Sequence, residues 1–258
     1  MGLGSGLHRL LVRVSVLEEF TEGGVPYAVL ERRGLLPHYR ANRALCLKKN
    51  GTQYTHSAIY LNPKFRHQPV YDLPQKIADL WAADHPMHEA LVLGCAGCSY
   101  PRFLALSFAD CHITGVEYSR HFVQLAERYF LLDQMGDRFT LLCDDAYRYL
   151  PANPEPKRNL VFVDIFDGDE VPDAEFSIAF AAALYEATAT ESVIIVNLLN
   201  VPAVRVEGFF HTAAYPYAGK YLLSDGARCM AVLTKTADRA STEAFAAGLK
   251  KLGNVTVY

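Results

Sequence analysis

The sequence has no apolar run that approaches the roughly 20 residues needed to cross a bilayer. Its opening residues, MGLGSG, lack the charged and apolar regions of a secretory signal peptide. Basic residues are not in excess either, because 25 Lys and Arg stand against 28 Asp and Glu, for a net charge of −3 at pH 7. No basic stripe is available to neutralise a row of phosphates, which argues against nucleic acid as a main partner. We expect a cytoplasmic protein that acts on a small molecule and does not bind membranes.

The six cysteines do not have the spacing of a disulfide scaffold or of a zinc site. They are spread over 258 residues, and a chain of this length can bury a core without disulfides. Only Cys95 and Cys98 form a C-x-x-C pair. A redox pair is one interpretation, and we favour the other, in which small side chains fill a tight turn. Because no second pair or run of histidines completes a ligand set, we expect no metal.

The first 60 or so residues have the pattern of a small antiparallel sheet. Stretches of alternating apolar and polar residues, among them LVRVSVLEEF and PYAVLER, are separated by glycine, proline and asparagine. The dipeptide Asn50-Gly51 predicts a hairpin turn, and apolar residues at helical spacing predict a helix over 72–84. We therefore predict an N-terminal β-rich extension over residues 1–70.

Strand-like and helix-like segments alternate over the rest of the chain. The strand candidates ALVLG, HITGVEY, FTLLCDD, NLVFVDIF and SVIIVNLL are nearly continuous in apolar and β-branched residues. Helical stretches separate them, including one from about residue 174 to residue 189. This pattern predicts a parallel sheet covered by helices on both faces, in a domain over residues 71–258. Ligands of such sheets bind beyond the carboxyl ends of the strands.

A glycine-bearing turn follows the first of these strands. Gly94, Ala96 and Gly97 leave room for a ligand to approach the backbone, and Glu117 closes the next strand about twenty residues later. This spacing is typical of a nucleotide-like cofactor site, in which the carboxylate accepts hydrogen bonds from ribose hydroxyls.

Acidic residues also follow the next two strands, Asp144 and Asp145 after the third and Asp164 and Asp167 after the fourth. One alternative for such an aspartate is a helix N-cap. Carboxylates gathered at one edge of a sheet repel one another unless a cation is present. The set therefore predicts a cationic ligand, such as a sulfonium or an amine.

Four runs of the sequence, VLGCAGCSYPRFL, GVEYSRHFVQLAERYF, DDAYRYL and VFVDIFDGDEVP, resemble the spermidine synthase (polyamine aminopropyltransferase) family and its S-adenosylmethionine-binding relatives. The resemblance implies an α/β, Rossmann-like class I methyltransferase fold, with a mostly parallel seven-stranded sheet and a small N-terminal antiparallel β-domain. It also implies a transferase with an amine-type acceptor. Its cofactor would be S-adenosyl-L-methionine or decarboxylated S-adenosylmethionine, and its product S-adenosylhomocysteine or 5'-methylthioadenosine. The resemblance also implies that the N-terminal extension could mediate a homodimer.

Residue roles follow from the resemblance position by position. Asp164 matches the catalytic aspartate that accepts a proton from the attacking amine, and Asp167 matches a second aspartate that holds the amine substrate. Tyr71 and Tyr215 match aromatic residues near that substrate. The cofactor positions are Gln53 at the methionine part, Glu117 at the ribose, Asp145 and Ala146 at the adenine, with Gly94, Ala96, Gly97, Tyr118, Asp144 and Asp164 beside the cofactor.

Two departures from the family pattern leave the reaction open. The glycine-rich turn of the family carries an aspartate for the amino group of decarboxylated S-adenosylmethionine, and Gly97 stands there in this chain. Tyr71 is followed by Asp72 and Leu73 instead of a polar residue and a glutamate. Without the aspartate, repulsion against the carboxylate of the intact cofactor is removed, so we expect intact S-adenosylmethionine to be preferred. The alternatives are aminopropyl or methyl transfer, and a homologue without turnover that binds the cofactor and acts through protein interactions. An NAD-dependent oxidoreductase is disfavoured, because Ser99 replaces the last glycine of the dinucleotide fingerprint.

Overall fold

The amino-terminal part of the chain forms a four-stranded antiparallel sheet. The computed structural model describes residues 12–34, 40–65, 73–168, 170–212, 215–226 and 228–258. The strands pair in the order β1-β2-β3-β4 and comprise β1 (Val12–Glu22), β2 (Val25–Gly34), β3 (Asn42–Lys49) and β4 (Thr52–Tyr60). Asn50 (φ 50°) and Gly51 (φ 72°) join β3 to β4 in the left-handed region that this hairpin turn requires, as the sequence predicts. The boundary predicted at residue 70 lies outside the described residues.

A second sheet contains eight strands of described residues, in the order β12-β10-β11-β9-β8-β5-β6-β7. They are β5 (Glu89–Leu93), β6 (His112–Glu117), β7 (Phe139–Cys143), β8 (Arg158–Val163), β9 (Thr188–Asn197), β10 (Gly219–Ser224), β11 (Cys229–Lys235) and β12 (Asn254–Val257). Strands β7, β6, β5, β8 and β9 are parallel neighbours. Strand β11 is antiparallel to β9 and β10, and β12 is antiparallel to β10. The mostly parallel sheet is thus confirmed, and the edge strand β12 adds to the seven strands expected.

Helices connect these strands and cover both faces of the large sheet. They are α1 (Leu73–Ala82), α2 (Ser99–Ser107), α3 (Arg120–Tyr129), α4 (Ala146–Ala152), α5 (Ile178–Ala187), α6 (Ala203–Thr212) and α7 (Arg239–Leu249), with 3-10 turns η1 (Pro63–Phe65), η2 (Leu132–Arg138) and η3 (Asp173–Phe176). Buried side chains of α1, α2 and α7 form one core, and those of α4, α5 and α6 form another. Alternate residues of β5 enter the two cores, Val92 the first and Leu91 and Leu93 the second, as the pleat of a strand requires.

The helix predicted over residues 174–189 is divided into three elements. The segment begins in η3, continues as α5, and ends in β9, which starts at Thr188. Ser177 separates the first two, since its backbone is extended and its hydroxyl accepts the N–H of Phe180 at 3.1 Å as the N-cap of α5. The apolar periodicity of the segment does not reveal this interruption.

The N-terminal sheet packs against α3 and the residue that follows it. Tyr27, Leu45 and Ile59 share a buried cluster with Leu125 and Phe130. Arg43 donates to the carbonyl oxygen of Tyr129 at 2.6 Å and pairs with Glu31 at 2.6 Å. Because α3 follows β6 directly, this packing brings the small sheet beside the carboxyl ends of the central strands.

None of the described helices is both long and apolar enough to span a membrane. Cys95 and Cys98 are buried in the turn after β5, and no disulfide joins them.

Candidate functional site

The carboxyl ends of five adjacent parallel strands meet at one edge of the large sheet, which we call the acidic edge. Strand β7 is followed by Asp144 and Asp145, β6 ends at Glu117, β5 is followed by Gly94, β8 is followed by Asp164, and β9 ends at Asn197. Strand β5 lies between β6 and β8 in the sheet. The chain continues from β5 to β6 on one side, and β8 pairs with β5 on the other side. A crevice for ligands forms where connections diverge in this way.

The turn after β5 lies against the end of β8. Gly94 has a φ of 81°, and a Cβ atom built on it would overlap the carbonyl oxygen of Asp164. Only glycine fits this position, because both its conformation and its space exclude a side chain. Ala96 (φ 44°) and Cys98 (φ 55°) are also in the left-handed region, which is costly for residues with a side chain. The turn therefore retains the backbone shape of a glycine-rich loop with fewer glycines.

Glu117 binds this turn through its carboxylate. One of its oxygens accepts the N–H groups of Cys95 at 3.0 Å and Ala96 at 2.8 Å, and the other accepts the N–H of Ser119 at 2.9 Å. The residue is only 7% exposed. An ionised carboxylate has about four acceptor positions, so three are used by the protein and about one remains for a ligand hydroxyl.

Gly97 is enclosed by the N-terminal sheet. Its N–H donates to the hydroxyl of Ser57 on β4 at 3.0 Å. A Cβ atom at this position would lie 2.8 Å from the Cβ of Ser57 and 2.7 Å from the ring of Phe130. The position that carries an aspartate in the resembled family therefore has no room for a side chain here.

Asp164 is partly buried and lies at the centre of the acidic edge. Its carboxylate accepts a hydrogen bond from the side-chain amide of Asn197 at 2.8 Å. Burial raises the pKa of this carboxyl to about 6, the Asn197 hydrogen bond opposes the shift, and the charge of Glu117 adds to it. Sequence reasoning missed Asn197; its position at the end of the next parallel strand is the signal that could have found it.

Glu175 brings a further carboxyl group to this region. It lies in η3, is 1% exposed, and neither of its carboxyl oxygens has a hydrogen-bond partner among the described residues. Burial raises its pKa to about 9, the nearby charge of Asp164 adds to the shift, and Arg205 opposes it. The hydroxyl of Tyr147 is likewise buried without a partner, and the Glu175 charge helps to raise its pKa. Glu175 was hidden in the sequence, because the predicted helix placed it on an ordinary helical turn.

The residues that follow β6 and β7 also lie at the acidic edge, and they differ in how far their side chains are exposed to solvent. Asp145 is the N-cap of α4, where its carboxylate accepts the N–H of Tyr147 at 2.8 Å, so the capping alternative holds for it. The neighbouring Ala146 is buried. Asp144 is exposed and accepts the N–H of Asp145 at 2.7 Å. Tyr118 is 79% exposed at the rim.

The hairpin of β1 and β2 reaches across the mouth of the crevice. Glu22 accepts the hydroxyl hydrogen of Ser119 at 2.6 Å, and Val25 lies 3.8 Å from a Cβ atom built on Gly168. Asp167 precedes this glycine and is exposed, and its N–H donates to the carbonyl oxygen of Glu170 at 2.9 Å. Asp167 therefore stands on a short turn under the hairpin, three residues beyond Asp164.

Tyr215 does not join this group, and the roles of Gln53 and Tyr71 stay predictions. Tyr215 stacks on Tyr185 with ring centroids 5.0 Å apart, and Tyr185 lies just before β9 begins. This is the amino-terminal edge of the parallel strands, so the structure does not place Tyr215 beside Asp164. Gln53 is exposed on β4 near the hairpin turn, and its role stays a prediction. Tyr71 lies outside the described residues, as does the neighbouring Asp72.

No family model and no curated protein matches the sequence. Solved structures do match the fold. A probable spermidine synthase from Corynebacterium glutamicum superimposes with a TM-score of 0.65 over 94% of this chain and 90% of its own, at 14% identity. A spermidine synthase in complex with the transition-state analogue AdoDATO gives 0.56 over 89% and 75%, at 14% identity. Human methyltransferase-like protein 13 in complex with SAH gives 0.54 over 68% and 86%, at 18% identity.

The chain has the Rossmann-like α/β fold of spermidine synthases and methyltransferases. The extent of the matches differs. A match over 94% of the chain includes most of the N-terminal sheet, whereas the methyltransferase match covers 68%. The arrangement of both sheets is therefore shared with the probable spermidine synthase.

We predict that Gly97→Ala lowers the free energy of unfolding by about 1–3 kcal/mol, because the new methyl group has to displace Ser57 or Phe130. Gly208→Ala in α6 is the matched control, since no atom lies within 4 Å of a Cβ there, and alanine favours a helix by up to about 1 kcal/mol. Urea unfolding of both variants measures the effect. A Gly97→Ala protein as stable as the wild type would show that the turn is not closed.

We predict that stability falls as the pH rises from about 6.5 to 8.5, because folded Glu175 keeps a proton that the unfolded chain releases. A group whose pKa is higher in the folded than in the unfolded protein stabilises the fold less as the pH rises. Glu175→Gln, which removes the titration, should flatten the decline by about 1–3 kcal/mol. The control is Glu243→Gln, an exposed residue paired with Arg239, which should leave the slope unchanged. Chemical unfolding at each pH measures the stability. If stability falls equally with pH in the wild type and in Glu175→Gln, Glu175 is not the group that keeps the proton.

Proposed function

We propose that the protein is a transferase that binds S-adenosyl-L-methionine at the acidic edge and transfers a group from its sulfonium to an amine-type acceptor. The observation that supports this most directly is the meeting of Glu117 and Asp164 at one turn. The Glu117 carboxylate accepts N–H groups of the turn, and the backbone of Asp164 lies against Gly94 of the same turn. The charge of Glu117 also helps to raise the pKa of the Asp164 carboxyl. Carboxylates held this close to one another favour a ligand of positive charge.

The residues at this edge fit the parts of such a cofactor. Gly94 and the turn after it let a ligand approach the backbone, and Glu117 has an acceptor position left for a ribose hydroxyl. Asp145 and Ala146 would lie at the adenine, with Asp144 and the exposed Tyr118 at the rim. When bound, the cofactor supplies an electrophilic carbon attached to a positively charged sulfur.

Asp164 is suited to hold the acceptor and take its proton. A protonated amine cannot act as a nucleophile, so a nearby carboxylate both attracts it and accepts the proton that is released as the new bond forms. A pKa of about 6 leaves Asp164 ionised at neutral pH while making it a better base than an ordinary aspartate. Asn197 donates to one carboxylate oxygen and so fixes the direction in which the other faces.

Asp167 would extend the site for the acceptor, whereas Glu175 is buried near Asp164. Asp167 is exposed under the β1–β2 hairpin and can hold a second cationic group of the substrate. Glu175 is buried with two unpartnered oxygens, and a buried polar group without a partner is costly. The raised pKa of about 9 keeps this carboxyl protonated and uncharged at neutral pH, which lowers that cost.

The enclosure of Gly97 supports the intact cofactor over its decarboxylated form. An aspartate cannot be added at this position without moving Ser57 and Phe130. Residue 97 therefore supplies no anionic group that would attract the cofactor amine and repel its carboxylate. Methyl transfer therefore becomes at least as plausible as aminopropyl transfer.

A homologue that binds the cofactor without turnover is the second candidate. The closed position at Gly97 favours it, whereas the retained Asp164 and its Asn197 partner favour catalysis. Incubation with labelled cofactor and a panel of amines, with the products identified by mass, separates the two. An NAD-dependent oxidoreductase would give neither product.

We predict that Asp164→Asn lowers kcat by about 100-fold or more, because the amide cannot accept the proton, while cofactor affinity changes by less than about 3-fold. In the wild type, kcat should fall as the pH drops below about 6, where Asp164 becomes protonated. Asp110→Asn, at an exposed position before β6, serves as the control and should match the wild type. Equal losses of turnover and affinity in Asp164→Asn would contradict its role as a base.

We predict that isothermal calorimetry gives a lower Kd for S-adenosyl-L-methionine than for decarboxylated S-adenosylmethionine. The reason is that residue 97 carries no anionic side chain to repel the carboxylate of the intact cofactor. Tighter binding of the decarboxylated form would overturn the preference while leaving the fold and the cofactor site in place.

A further inference from the structure

Three side chains at the opposite edge of the large sheet are joined by two short contacts. His85 lies in the connection between α1 and β5, Glu191 lies near the start of β9, and Ser241 lies in the first turn of α7. The Ser241 hydroxyl oxygen is 2.6 Å from His85 Nε2, and His85 Nδ1 is 3.0 Å from a carboxylate oxygen of Glu191. Because β5 and β9 begin at this edge, a full strand length separates these residues from the acidic edge.

The imidazole ring of His85 is held in one orientation. It stacks on the fully buried Trp81 with ring centroids 3.7 Å apart and an angle of 10° between the planes. The side chain of His85 is only 7% exposed. Since both ring nitrogens have partners and one ring face is covered, the ring cannot turn without losing all three contacts.

These contacts select the tautomer that a serine nucleophile needs. An ionised carboxylate can only accept, so the hydrogen-bond pattern assigns the proton to Nδ1, which donates to Glu191. Nε2 is then the acceptor for the hydroxyl of Ser241. This is the order of roles in a Ser-His-acid triad, in which the acid orients the histidine and the histidine takes the proton of the serine.

The serine and the histidine line an open pocket of about 620 Å³, a size in the range of small-molecule sites. Its lining also contains the acidic residues Asp84, Glu191 and Asp238, and no Lys or Arg among the described residues. The charge of this pocket favours neutral or cationic substrates and disfavours those that carry a carboxylate or phosphate.

We propose that Ser241, His85 and Glu191 form a second catalytic site, which hydrolyses small carboxylic esters that are neutral or positively charged. Ser241 Oγ forms a bond to the acyl carbon while its proton passes to His85 Nε2. The ester C–O bond breaks and the leaving alcohol takes that proton. Water then attacks the acyl carbon and gives a proton to Nε2. The bond between that carbon and Ser241 Oγ breaks, the proton passes from Nε2 to Oγ, and the carboxylic acid leaves. Glu191 stays ionised throughout.

Labelling of the full-length protein with a fluorophosphonate tests this proposal. The reagent forms a bond between phosphorus and an activated serine hydroxyl and releases fluoride. We expect an adduct on the peptide that contains Ser241, identified by mass, and no such adduct in Ser241→Ala. Thr242→Ala is the matched control on the same helical turn, because its hydroxyl donates to the carbonyl oxygen of Asp238 and not to a histidine, and it should label like the wild type.

Glu191→Gln separates a triad from a structural contact. Its amide can no longer orient an imidazole that acts as a base, so labelling should slow at least about 10-fold in a protein whose thermal unfolding shows it to be folded. In parallel, p-nitrophenyl acetate and acetylthiocholine should be hydrolysed faster than a succinate monoester. A folded wild type without an adduct on Ser241, or equal labelling rates for wild type and Glu191→Gln, would overturn the proposal. Neither result depends on S-adenosylmethionine, whose affinity should be unchanged in Ser241→Ala.

Discussion

The close approach of the turn after β5 to the end of β8 is the constraint on which the candidate cofactor site depends. Gly94 can lie against the backbone of Asp164 only because it has no side chain, and the turn is then held by hydrogen bonds from its N–H groups to Glu117. Three adjacent strands are thereby joined at their carboxyl ends. A ligand in the crevice between them would meet carboxyl groups of two different strands, and our proposal of a positively charged ligand depends on this arrangement.

The N-terminal sheet adds a second constraint, because it closes one side of the same turn. Ser57 and Phe130 occupy the space in which a side chain at residue 97 would lie, and Glu22 is bonded to Ser119 across the rim. The small sheet therefore does more than extend the fold. It excludes a side chain at residue 97 of the turn, and it places the β1–β2 hairpin over Asp167.

The large sheet separates two groups of polar residues. Its carboxyl edge carries Asp164 and Glu117, whereas its amino edge carries His85 and Ser241. The central strands between them are buried on both faces, so the two edges do not share a solvent path through the sheet.

Sequence periodicity and turn residues predicted most of this architecture. The buried strands, the Asn50-Gly51 hairpin and the acids at the strand ends could all be inferred, because each depends on local pattern. Asn197 and Glu175 could not be inferred in the same way. Asn197 is 33 residues from Asp164 in the chain, and the two side chains meet only because their strands are neighbours in the sheet. Glu175 is buried in η3, near Asp164.

The sequence by itself determined the alternation of strands and helices, and with it the edge at which the carboxylates gather. Local backbone preference and hydrophobic pattern are sufficient for that, since both act over a few residues. Only the tertiary structure decided how much space surrounds Gly97, which carboxyl groups lose contact with water, and that Tyr215 lies at the other edge. These properties arise from segments distant in the chain, and burial, which changes pKa values and excludes side chains, exists only once those segments have packed together.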